Sequence, residues 1–304
     1  MSQPTAAPGL KELLSTAQLP ALPQSAIRLL ELSQNPDNGP NEFARPIESD
    51  PGLTGQVLKF VNSSYFGFAR EISSVKLAIT LVGIRTIKNF SLWSAVFSLM
   101  PNPKCGPFDL KSLWQDSLRR GLFARAFGKL LGMKEAEELF AGALLQDMAI
   151  PLLAKELPQR YLQLLEARTK GDARLSDLER AEFGWTHADA AGFMARKWSL
   201  PEEFAQLIEA HIKLDEFLAS GCKEPGKLAV ALSAMLPANH DKQWYDRERF
   251  CRAFQTLAAG KGQGADVILS QIDQEFADFA PVLKLPAPAK SLVQHWNDAL
   301  VTTA

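Results

Sequence analysis

Apolar residues recur at helical spacing along almost the whole chain, and no segment alternates apolar and polar residues as a half-buried strand does. Leu53, Val57 and Val61 return every four residues. Ile84, Ile87, Trp93, Phe97 and Met100 mark a longer stripe, and Leu113, Leu118, Leu122, Ala126 and Leu130 carry the pattern on. This pattern predicts an all-α fold, because a sheet would need β-branched runs of period two that the sequence lacks.

Local chemistry sets the boundaries. Asp50 before Pro51 reads as an N-cap followed by proline at the first helical position, where no N–H is wasted. Ser74, Asp109 and Thr186 are further N-caps, and Ser176 with Glu179 has the spacing of a capping box. Pro101, Pro103, Gly106 and Pro107 crowd one short segment that cannot continue a helix. That segment, 101–108, predicts two packed helical domains, 15–100 and 108–300. The linker is short and proline-rich, so it restricts relative motion. The stripe ending at Met100 then needs a surface to bury it, which places Trp93 and Phe97 at the domain junction. The glycines of 260–264 predict a surface loop. Their lysine lacks the Ser or Thr and the full frame of a phosphate loop.

Composition narrows the function. The 304 residues are 46% hydrophobic, enough for a sizeable core. Lys and Arg number 33 against 34 Asp and Glu, a net charge of −1, so a sequence-independent grip on nucleic acid is not expected. Cys105, Cys222 and Cys251 lie far apart and suit a reducing cytoplasm. The N-terminus lacks the basic start and apolar run of a signal peptide, and no stretch is apolar for long enough to cross a membrane. The expected location is cytoplasmic.

Several separated motifs point the same way. Leu19-Pro20-Ala21-Leu22-Pro23 has the form L-P-x-L-P, and residues Asp50 to Leu58 have the form D-P-x-L-T-x-x-V-L. Asn62-Ser63-Ser64-Tyr65-Phe66-Gly67 follows N-S-x-x-F-G, and Ile72 to Gly83 is similar to I-x-S-x-x-x-A-I-x-x-L-G. In this order and spacing they resemble the HDOD family, helical modules of bacterial signalling proteins. The resemblance is strong over about 75 residues and extends toward residue 236. Most of these residues are expected in the core. Tyr65 and Phe66 either anchor a partner or plug a gap between helices. Arg85 and Lys88 fall on the polar side of the long stripe as solvated charges, and complete the candidate interaction surface.

The resemblance also implies kinship with the HD phosphohydrolases, which hold a divalent metal through an H…HD…D pattern. Imidazole and carboxylate ligands suit that chemistry, since the metal must activate water and clamp a phosphate oxygen. Here Leu113-Trp114-Gln115-Asp116-Ser117 resembles the L-W-x-H-S segment, with Asp116 in the place of His. Gln146-Asp147 stands for the HD dyad, and Ser233 falls nearest the last ligand. A glutamine amide and a serine hydroxyl are weak ligands, so no metal or other cofactor is expected at this remnant pocket. Asp116 then reads as a surface or junction charge and Asp147 as a paired carboxylate. His187 and His211 stand where the family often keeps histidine. They are either further ligands or, on the plainer reading, a locally bonded first-turn histidine and a cation at a helix C-terminus. His240 and His295 have no suitable sequence neighbours. No G-x-S-x-G, H-E-x-x-H or Cys–His signature is present.

The resemblance therefore implies a bacterial signal-transduction protein that works by binding other signalling proteins, and the loss of ligand chemistry implies that it is non-catalytic. The alternative is a divergent metal-dependent phosphohydrolase. A third reading keeps the old pocket as a small-ligand sensor.

Overall fold

The computed structural model describes residues 9–301 except 18, 135, 172 and 240, so His240 and the first residues of the chain lie outside it. The protein is 65% helix, and no strand occurs among the described residues. The first helices are α1 (Leu10–Thr16), α2 (Gln24–Ser33), α3 (Pro40–Glu48), α4 (Pro51–Val61), α5 (Val75–Val82) and α6 (Ile84–Leu99). After a coil over 100–109 come α7 (Leu110–Leu130), α8 (Glu137–Leu144), α9 (Ile150–Glu156), α10 (Pro158–Arg168), α11 (Leu175–Phe183) and α12 (His187–Lys197). The chain ends with α13 (Glu202–Ala210), α14 (Leu214–Ser220), α15 (Pro225–Ser233), α16 (Arg247–Leu257), α17 (Ala265–Phe279) and α18 (Leu292–Val301).

The caps form where short polar side chains precede an apolar run. Asp50 accepts from Leu53 N–H at 3.0 Å, Asp109 from Ser112 N–H at 2.8 Å, and Ser74 from Leu77 N–H at 3.3 Å. At α12, Thr186 and Asp189 close a full capping box. The box expected at Ser176 and Glu179 does not form. There α11 starts two residues earlier, behind Arg174, and both residues lie buried inside it. Glu179 is drawn away by a stronger demand from His187, described below.

α7 is the central beam, packed against α8, α15 and α17. Gly121 permits its approach to α8: a Cβ there would stand 3.1 Å from the Phe140 carbonyl oxygen. At the other side α5 turns into α6 through Gly83, whose φ of 98° is a conformation that side-chain-bearing residues rarely adopt. One continuous set of buried apolar side chains runs from Leu13 to Leu292 and crosses the proline-rich coil. Trp93 and Phe97 of α6 meet Trp114 of α7, at ring-centroid distances of 6.5 and 4.5 Å.

α6 corrects the picture of a one-sided stripe. Residues from Ile87 to Val96 are buried all round, and Lys88 with them. Its ammonium lies over the Phe204 ring at 5.9 Å, and burial lowers its pKa. Lys88 is thus a buried cation at a helix–helix contact and not a solvated charge, whereas Arg85 is exposed. Tyr65 and Phe66 are half-buried: Tyr65 lies 4.3 Å from Phe279, and Phe66 stands edge-on to Phe60 at 5.0 Å.

Candidate functional site

A set of charged residues from the second half converges on a cavity of about 170 Å³. α7 brings Asp116 and, one turn on, Arg120. The turn before α9 brings Asp147, the first residue of α12 is His187, and His211 caps the end of α13. Arg120 forms an ion pair with Asp147. Asp147 Oδ1 lies 3.3 Å from His187 Nε2 and 3.7 Å from His211 Nε2. The two imidazoles meet each other, Nε2 to Nε2, at 3.0 Å. Behind them stands Glu179 of α11, fully buried. One of its carboxylate oxygens accepts from both the His187 backbone N–H at 2.7 Å and His187 Nδ1 at 2.6 Å, and the other accepts from the Tyr161 hydroxyl.

These contacts settle the proton positions. His211 Nδ1 faces the Ile208 carbonyl at 2.5 Å, and a carbonyl only accepts, so the proton is on Nδ1 and Nε2 carries a lone pair. His187 must then donate from Nε2 as well as from Nδ1 to Glu179, which makes it an imidazolium. Burial would lower the pKa of His187, but Glu179 and Asp147 raise it to about 10. Burial and the neighbouring imidazolium lower that of His211 to about 3. Burial alone would raise the Asp147 carboxyl, yet Arg120 and the two histidines hold it well below the usual carboxylate range. Asp116 is different. Burial lifts it to about 7 against the pull of Arg120 and Arg119, and it accepts from Asn239 N–H at 2.8 Å. Arg168 grips Asp241 with two bonds of 2.7 and 2.9 Å, and Arg174 faces Asp246 at 3.4 Å, closing the rim.

The comparisons with known proteins decide the family. Residues 19–214, well over half of the chain, match the HDOD domain. The chain belongs to the HDOD family. The fold of this HDOD protein is similar to that of a Geobacter sulfurreducens HDOD domain protein of unknown function, with a TM-score of 0.64 and 20% identity over 96% of this chain and 94% of that one. It is also similar to a Shewanella amazonensis SB2B protein named "putative phosphohydrolase", with a TM-score of 0.69 and 18% identity over 91% of this chain and 98% of the other. Among curated sequences, an uncharacterized protein of Treponema pallidum (strain Nichols) is 24% identical over 198 residues. That match spans 64% of this HDOD protein and only 38% of the relative's length.

Asp147, His187 and His211 place donor atoms within 4.8 Å of one another, a spacing at which such groups could hold a metal ion. In this chain Arg120 stands against that use of the donors. Asp147 is already paired with Arg120, while His187 gives Nδ1 to Glu179 and has Nε2 as its one remaining ligand atom. A dication bound to Asp147 would meet the Arg120 guanidinium at contact range. The protein thus supplies from its own side chains the positive charge that a metal would bring.

Of the residues expected at the remnant pocket, Asp116, Asp147, His187 and His211 are brought together. Gln146 is fully buried, and neither its amide oxygen nor its nitrogen has a partner among the described residues. Ser233 bonds back to the Val230 carbonyl at 2.7 Å within α15 and does not line the cavity. The readings of charge are corrected. Asp116 is buried and not a surface charge, His187 is the cation, and His211, which does end its helix, is neutral. Sequence reasoning missed Arg120 and Glu179. The signal for Arg120 was present: it follows Asp116 by four residues on a largely apolar helix, so both face the same buried side. Nothing local marks Glu179 as the partner of a histidine eight residues later.

Proposed function

We propose that this HDOD protein acts without catalysis, as a cytoplasmic regulatory module of bacterial signal transduction that binds other signalling proteins. The observation that carries this reading is the ion pair of Arg120 with Asp147 beside the His187–His211 hydrogen bond. Together they occupy the lone pairs and carboxylate oxygens that metal-assisted hydrolysis of a phosphate ester would require. A buried ionic cluster of this kind fixes the relative positions of α7, α11, α12 and α13. With Trp93 and Phe97 locked onto Trp114, the two halves then present one composite surface to a partner.

The clustering of Asp147, His187 and His211 favours one second reading, a divergent metal-dependent phosphohydrolase. Elemental analysis of the purified protein separates the two. The expected result is no stoichiometric iron, manganese or zinc, and no hydrolysis of a chromogenic phosphodiester with any of these metals added. About one metal ion per chain, lost together with phosphodiesterase activity in Asp147→Ala, would establish the second reading and end the first.

A further inference from the structure

A second cleft, of about 660 Å³, opens between the start of α16, the loop before it and α18. Five cations line it, against the carboxylates of Glu248 and Asp298. Arg249 is committed to Asp215 and Asp246, and Lys290 to Asp298. Lys242, Arg247 and Arg252 have no carboxylate partner among the described residues, although the whole chain carries a net charge of −1.

The floor of the cleft carries the second observation. His295 is only 2% exposed, yet neither ring nitrogen has a hydrogen-bond partner among the described residues. Burial together with Lys290 and Arg119 lowers its pKa to about 4, so the neutral ring keeps one N–H to donate. Arg247 is also incomplete: its Nε is buried without a partner while its guanidinium lies over the Trp296 ring at 5.2 Å. Buried donors left unpaired cost free energy, and a ligand that satisfies them recovers it. Three unpartnered cations exclude a metal ion. A tetrahedral oxyanion accepts donors from several directions at once and matches guanidinium geometry. Tyr245, 45% exposed, forms an aromatic wall beside the cations.

We propose that this cleft binds a phosphate oxyanion, free or carried on a nucleotide, through Lys242, Arg247, Arg252 and His295. Phosphate oxygens would take the N–H of His295 and the free edge of Arg247, while Lys242 and Arg252 close over the outer face. The site is separate from the Arg120–Asp147 cluster, though Trp244 and Tyr245 form part of the wall of both cavities.

Isothermal titration calorimetry of the full chain with inorganic phosphate and with AMP tests this. The expected result is saturable binding at one site, weakened by about tenfold or more in the double variant Lys242→Glu/Arg252→Glu. Both residues are exposed, so the variant keeps the circular dichroism spectrum and melting temperature of the wild type. Tyr245→Ala distinguishes the sources: weaker AMP binding with unchanged phosphate binding assigns a nucleotide, and equal effects assign the free anion. No saturable binding of either probe at millimolar concentration would overturn the site. So would binding that the double variant leaves intact.

Discussion

The two halves of the chain bury different things. From α1 to α6 the interior is made of Leu, Ile, Val, Phe and Trp, and Lys88 is the one buried charge among the described residues. From α7 onward the same continuous core encloses Arg119, Arg125, Asp116, Asp147, Glu179, His187, His211 and His295. Apolar burial is non-directional and tolerates many partners. A buried charge needs a particular partner at a particular distance, and its removal strands the other member. The first half is therefore a scaffold that depends on packing, and the second is a scaffold that depends on pairing.

The largest effect should show that difference directly. Asp147→Ala leaves Arg120, whose side chain is only 14% exposed, without its carboxylate, and the expected loss is about 3 kcal/mol in urea unfolding. Trp93→Ala, in the apolar half, should cost about 3–5 kcal/mol by cavity formation. The two are separated by rescue. Replacing Arg120 by Met in the Asp147→Ala background should restore much of the lost stability, because the stranded charge goes with it. If the double variant is no more stable than the single one, the cluster is not held by pairing.

The protonation pattern gives the next effect. His187 has a pKa raised to about 10 in the fold, against about 6.5 when unfolded. Its contribution, of a few kcal/mol, is fully present below pH 6.5 and is lost as pH rises through about 10. Glu179→Gln should weaken that alkaline loss and bring the His187 ring resonance in NMR titrations down toward neutral pH. His211 should show no titration between pH 5 and 8. A wild-type His187 that titrates near 6.5 would break the assignment of an imidazolium.

Asp116 works in the opposite sense to Asp147. Its folded pKa, raised to about 7, means that stability is fully present below the unfolded value near 3.8 and is lost as pH rises through about 7. Asp116→Asn keeps an oxygen for the Asn239 N–H and removes the charge. The variant should therefore match the wild type at pH 4 and exceed its melting temperature at pH 8. Equal melting temperatures at both values would show that Asp116 is solvated.

How far the sequence could be read follows the same division. The caps of α4, α5, α7 and α12, the break before α7 and the all-helical fold depend on residues a few positions apart, and all were legible. The motifs from Leu19 to Gly83 were legible for the same reason. The cluster was half legible. Asp147, His187 and His211 could be singled out by resemblance, but their charges could not, because Glu179 of α11 reaches His187 and Arg120 of α7 reaches Asp147 from distant parts of the chain. Arg125 to Glu275 and Arg119 to the Lys290 carbonyl close over 150 and 171 residues, distances at which no local pattern carries a signal. Lys88 was misplaced because its polarity was taken as a sign of exposure on a helix that is buried all round.

The smallest effect contrasts two serines that look alike in sequence, each placed ahead of a helical apolar run. Ser74 accepts a hydrogen bond from Leu77 N–H, so Ser74→Ala should cost about 1 kcal/mol, the usual value of an N-cap. Ser176 is buried inside α11 and caps nothing, since Glu179, its expected reciprocal partner, is held by His187 and Tyr161. Ser176→Ala removes a small buried hydroxyl without freeing a helix terminus, and its cost should stay within about 0.5 kcal/mol. Chemical unfolding of the two variants side by side measures the difference. Equal losses would mean that Ser176 does cap its helix in solution. Glu179 would then be free to leave His187, and the imidazolium at the centre of the cluster would lose the carboxylate that holds its proton.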